Sequence, residues 1–157
     1  MSHPDGQTSF LGEVTFMKQS ISFITLGATD LDRSRRFYRA LGWTESSSSQ
    51  AEVAFFQVGH IVFALFGRES LAEDANVSPE GSGFPAFTLS HNVGSESEVD
   101  ATLLEAVAAG GRLVRQGEKA PWGGFRGYFA DPDGFLWEVC YNPFFALDDN
   151  GFVQLPQ

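Results

Sequence analysis

The sequence predicts an α+β fold, in which two paired βαβββ modules form curved sheets around a central cleft, with the helices outside. Three observations predict it. A strand, helix, strand, strand, strand order can be read twice along the chain. The landmarks of the two copies recur at similar offsets: helix ends Gly42 and Gly110 lie 68 residues apart, and hairpin turns Gly59 and Gly134 lie 75 apart. A chain of 157 residues with 43% hydrophobic content is also large enough for one core without disulfides.

Residues 1–20, with His3, Pro4, Asp5 and Gly6, show no steady period and read as an arm, with a short strand around Val14–Met17. The first module spans residues 21–66. Ile21–Leu26 is β-rich and largely apolar, as a buried strand should be. Thr29 or Asp30 caps the helix that follows, Leu31, Phe37, Tyr38 and Leu41 form its apolar stripe, and Gly42 ends it. Trp43–Glu45 reads as a strand and Ser46–Ser49 as a polar tip. Two strands, Ala51–Val58 and Ile61–Phe66, then flank the hairpin turn Gly59-His60.

Residues 67–83, with Pro79, Gly81 and Gly83, read as a linker. The second module covers residues 84–145. It opens with a strand at Phe84–Leu89, and Ser95 to Glu98 fits a capping box before the stripe Val99, Leu103, Ala106 and Val107. Arg112–Val114 is the next strand. The final hairpin, Gly127–Ala130 and Phe135–Tyr141, turns at Asp131–Gly134. Residues 146–157 are left as a tail.

Composition narrows the partners. The net charge of −10 argues against nucleic acid, which selects a basic footprint, and against an anionic membrane surface. Arg33, Arg35, Arg36 and Arg39 are interrupted by Asp30 and Asp32 and read as a solvated helix face. The single Cys140 permits no intrachain disulfide and no CxxC motif. No secretory signal and no membrane span are read, so the expectation is a cytoplasmic protein. Aromatic residues make up 14% of the chain, which points to a flat-walled, apolar binding cavity for a small molecule.

Two passages carry a family resemblance. Thr29–Trp43 (TDLDRSRRFYRALGW) and Gly127–Val139 (GYFADPDGFLWEV) resemble the vicinal oxygen chelate superfamily, which includes glyoxalase I, bleomycin-resistance proteins, fosfomycin-resistance enzymes and extradiol dioxygenases. The likeness extends over roughly residues 20–145 and implies the fold more sharply than any one activity. It implies a divalent metal held by His, Gln or Glu on the first and fourth strands of each module. Carried over position by position, Glu138 matches the last ligand. The first-strand position is Phe23, which cannot ligate, and Ile61–Phe66 contains no donor. In the second module the corresponding position falls near Phe87 or Leu89, or on His91 if the register slips by two. One donor in four makes a metal-free site the leading expectation, with no cofactor, and a divalent metal the alternative.

Alternation places Leu136, Glu138 and Cys140 on one strand face, and Phe23 with Ile21 and Thr25 on another. Burial should raise the pKa of Glu138 unless a partner donates to it, which would equip it as a general base or a hydrogen-bond anchor. Its alternative is an inherited residue held by backbone or water. Trp122, Phe125 and Arg126, in a Gly-rich loop, suit a lid over a planar or anionic ligand, or a packing surface at a neighbour. Phe23, Thr25, Phe63, His91 and Cys140 complete the expected ligand contacts. The expected function is binding of a small, partly aromatic molecule in the cleft between the two modules without a metal, with two enzymatic alternatives: a metal-dependent lyase, isomerase or dioxygenase, or a metal-free enzyme using Glu138 as base. A homodimer is expected, its contact sealed by Asn142–Phe145.

Overall fold

The computed structural model describes residues 17–156. The arm with His3, and most of the strand expected at Val14–Met17, lie outside the described residues. In module 1, β1 (Phe23–Ala28) leads to α1 (Leu31–Ala40) and to the hairpin β2 (Val53–Val58) and β3 (Ile61–Gly67). The sheet order is β1-β3-β2, with β1 parallel to β3. After α2 (Arg68–Asp74), module 2 runs β4 (Leu89–Asn92), α3 (Glu96–Ala108), β5 (Arg112–Lys119), β6 (Phe125–Ala130) and β7 (Leu136–Tyr141). Its order is β4-β7-β6-β5, with β4 parallel to β7, so it repeats the topology of module 1. The class is the predicted one, mixed α+β with curved open sheets in two paired modules.

Three elements differ from the sequence reading. The strand expected at Phe84–Leu89 starts only at Leu89, because Pro85 lacks an N–H and Ala86 holds φ +62°, which a ladder does not accommodate. The segment 67–83 carries α2, which seats Ala72 against the first sheet. Trp43–Glu45 is reduced to a single bridge between Glu45 and Phe56. In the tail, β8 (Ala146–Leu147) and β9 (Val153–Gln154) form a small hairpin, in which Asp148 Oδ1 accepts from the backbone N–H groups of Asn150 and Phe152.

Local chemistry explains the helices. Asp30 caps α1 by accepting from the Arg33 N–H, and Gly42 supplies φ +91° just past its end. Ser95 caps α3 by accepting from the Glu98 N–H, and the Glu98 carboxylate reaches back to the Gly94 N–H at 2.7 Å. α3 lies so close to β6 that a Cβ on Gly127 would meet Leu103 Cδ1 at 2.5 Å. Among the described residues, no helix is long and apolar enough to cross a membrane.

The inward residues of both sheets share one core with α1 and α3, including Leu26, Phe56, Phe63, Tyr38, Leu103, Phe129, Trp137 and Val139. Phe63 and Trp137, from different sheets, stand 6.0 Å apart between ring centroids. If the sheets were joined edge to edge through β1 and β4, three strand spacings would separate these residues by about 14 Å. The sheets therefore meet through their helix-side faces, and their open faces look away from each other. The central cleft expected between the two modules is thus not formed within one chain: a shared aromatic core fills that place.

The two passages that carried the family resemblance form the clasp between modules. The Tyr38 hydroxyl donates to Asp131 Oδ2 at 2.7 Å and accepts from Trp137 Nε1 at 3.2 Å. Asp133 Oδ1 accepts from the Thr29 N–H at 2.9 Å and from its hydroxyl at 3.0 Å, while Ser34 donates to the other carboxylate oxygen. The Asp131–Gly134 turn thus has a packing reason: it anchors the end of one hairpin on the helix of the other module.

Candidate functional site

Alternation along β7 puts Trp137 and Val139 into the core and turns Glu138 and Cys140 to the open face, as the sequence reading placed them. Strand register then builds two rows across the second sheet. One row is Ser90, Glu138, Tyr128 and Arg115; the other is Asn92, Cys140 and Arg126, with Glu118 beyond. Glu138 is the centre of the first. Ser90 Oγ donates to its Oε1 at 3.1 Å and the Tyr128 hydroxyl donates to its Oε2 at 3.0 Å. The sequence reading left open whether a partner donates to Glu138, and these two side chains do. Burial, and then the bond to Glu138, push the Tyr128 phenol above its ordinary pKa. In the second row burial and the nearby Glu138 carboxylate push the Cys140 thiol up to about 11, so it is a packed neutral group and not a nucleophile.

The other predicted residues separate into three groups. Arg126 lies on the Glu138 face and is only 8% exposed, 3.6 Å from Glu118. Trp122, 45% exposed, lies over Gly124, where a Cβ would fall 2.0 Å from its ring. Phe125 has the opposite parity to Arg126 and packs against the core, so the loop presents one aromatic ring and not two. Phe23 and Thr25 lie on the open face of the first sheet with Phe55 and Gln57, and Phe23 is 54% exposed. Phe63 does not join them. It pairs with inward-facing Ile24 and packs 4.8 Å from the Tyr38 ring, because alternation on β3 turns it under α1.

His91 also departs from the Glu138 face. It follows Ser90 and therefore points to the helix side, where it lines a cavity of about 120 Å³ with Trp43, Glu105, Phe129 and Trp137. Burial lowers its pKa there. Position 90, and neither Phe87, Leu89 nor His91, is the register neighbour of Glu138. Sequence reasoning missed Ser90, Tyr128, Asn92 and Glu118. Tyr128 was detectable, since the Asp131–Gly134 turn pairs it directly with Glu138.

This residue set does not fit the family's metal. Phe23 occupies the first-strand place, β3 offers Val62, Ala64 and Phe66 on its open face, and Glu138 already holds two hydroxyl donors. Among the described residues no three His, Cys, Asp or Glu side chains cluster to hold an ion. The arrangement instead suits a polar anchor within a partly aromatic surface.

Two paired βαβββ modules with an acid on the final strand define the class of fold to which this chain belongs. The sequence matches the Glyoxalase/Bleomycin resistance protein/Dioxygenase superfamily over residues 20–139, and the chain belongs to that family. It is similar to a glyoxalase-related enzyme from Fulvimarina pelagi, 38% identical, covering 88% of this chain and 99% of that one with a TM-score of 0.80. A glyoxalase/bleomycin resistance protein/dioxygenase from Nocardioides is 26% identical over 82% of this chain and 86% of its own, at 0.66. A lactoylglutathione lyase from Agrobacterium tumefaciens is 25% identical over 79% and 94%, at 0.60. No curated protein matches the chain.

Proposed function

We propose that this protein binds a small, partly aromatic molecule on the Glu138 face without a metal, in a homodimer whose second copy closes the site. One observation carries the reading: the open faces of the two sheets point in opposite directions, so a single chain cannot wall one cleft with both. Among the described residues, β1 and β4 are equivalent edge strands of their sheets, each with one unpaired side. Pairing β1 of one copy alongside β4 of another brings Phe23, Thr25, Phe55 and Gln57 over Ser90, Glu138 and Tyr128. That union supplies an apolar wall from one copy and a polar floor from the other, the composition of a small-molecule pocket.

Native mass spectrometry of freshly purified protein tests all three parts together, by subunit count, metal content and co-purified small molecules. The expected result is a dimer without stoichiometric metal, whose melting temperature a chelator leaves unchanged. A monomer at micromolar concentration, or a tightly held divalent ion, overturns the reading. A second reading, turnover with Glu138 as the base, is favoured by the Tyr128–Glu138–Ser90 hydrogen bonds, which give a bound substrate's proton a path to a carboxylate. Loss of turnover in Glu138→Gln with the fold intact distinguishes it from simple binding.

A further inference from the structure

Among the described residues two arginines have a buried side-chain nitrogen without a hydrogen-bond partner, Arg35 and Arg126. Arg35 Nε stands 3.0 Å from the Glu45 carboxylate, whereas Arg126 has no carboxylate that near. Its Nη1 atom is buried and has no hydrogen-bond partner among the described residues, and its side chain is nine-tenths enclosed. The Glu118 carboxylate stands 3.6 Å from Nη1, beyond a hydrogen bond, and is itself drawn to Arg115 at 2.5 Å. A buried guanidinium donor left unmade is costly, and in a native structure such a donor is met by a water, an ion or a ligand. Its planar fork matches a carboxylate.

We propose that Arg126 receives the carboxylate of the ligand, and that the ligand class is a hydroxylated aromatic acid. The proposal rests on the reading of this face as the binding site. Arg126 and Tyr128 lie two residues apart on β6, as Cys140 and Glu138 do on β7. Two residues of strand span about 7 Å, the scale of one ring with substituents at opposite ends. A carboxylate on Arg126 therefore places the far substituent at Glu138. Glu138 accepts from two hydroxyls and has lone pairs for a third, so that substituent is a donor, a hydroxyl. Trp122, which lies over Gly124 two residues before Arg126, offers the ring a flat neighbour. The carboxylate displaces Glu118, which keeps Arg115.

Calorimetric titration of the intact protein with 4-hydroxybenzoate, 4-hydroxybenzyl alcohol and 4-hydroxybenzylamine tests this. The acid is expected to bind at least about tenfold more tightly than the alcohol, as a charge-assisted pair allows, and the amine least. Arg126→Gln should remove the preference for the acid, and Glu118→Gln should strengthen it by removing the competitor. Equal binding of acid and alcohol, or a preference unchanged in Arg126→Gln, overturns the anion subsite while leaving an aromatic-binding face in place. If Arg126→Gln does not fold, Glu118→Gln decides, since weaker acid binding there overturns the proposal. Binding of none of the three ring compounds overturns both this inference and the reading beneath it.

Discussion

Replacing Tyr38 by Phe removes one oxygen atom at the point where the two modules meet. Tyr38 is fully buried and Asp131 is 4% exposed, so water cannot take over the vacated bonds. Asp131 Oδ2 loses the donor at 2.7 Å and the Trp137 indole N–H loses the acceptor at 3.2 Å. A hydrogen bond to a charged group contributes about 1.5–3 kcal/mol, and an orphaned buried donor costs about 1–3 kcal/mol more. With partial relaxation the expected loss is about 3 kcal/mol, or about 6–12 °C in melting temperature for a chain of this size.

The pH dependence gives this prediction its specificity. Burial holds the Asp131 carboxyl above its ordinary pKa, and the bond from Tyr38 pulls it back down. A carboxyl raised in the folded state contributes stability that is fully present below its unfolded pKa and lost as pH rises through the folded value. Tyr38→Phe raises the folded value further, so that loss becomes larger. The gap between wild type and variant should be widest near neutrality and narrow as pH falls toward about 4, the ordinary carboxylate range. Urea unfolding at both pH values measures it. A gap under about 1 kcal/mol that does not change with pH would refute the account of the clasp.

The remaining predictions concern packing and reactivity. Gly127→Ala should destabilise by about 1–3 kcal/mol, since its Cβ meets both Leu103 and the Arg115 carbonyl; urea midpoints check it, and a neutral result would mean α3 lies further from β6. Gly42→Ala meets no neighbour within 4 Å, so its cost, about 1 kcal/mol, should come from the left-handed backbone alone, and Gly42→Asn should recover part of it. Cys140, with its thiol pushed up to about 11 and its side chain buried, should resist iodoacetamide near neutral pH in the folded protein and react once urea is added. Rapid alkylation of the native chain would contradict that burial.

Much of this architecture was legible because it depends on neighbours in sequence. Asp30, Gly42, Ser95 and Gly59 act within a turn of their own position, and each performs the cap or turn that its type and spacing indicate. The parity of β7 was equally local, so Glu138 and Cys140 were assigned to the correct face. Phe63 and His91 were not, because hydrophobic and amphipathic residues suit either side of a strand until a partner strand fixes the register. Ile24 opposite Phe63, and Glu138 opposite Ser90, are contacts across 39 and 48 residues of chain.

The order of elements, their duplication, and the acid that closes the last strand are written in the linear chain, since caps, turns and alternation need only nearby residues. Long-range packing settled the rest. Which way each open face looks follows from Phe63 meeting Trp137 in a shared core, and the surroundings of Glu138 follow from strand pairing. Those outcomes depend on how two buried surfaces fit together, and no local pattern encodes the angle at which they meet.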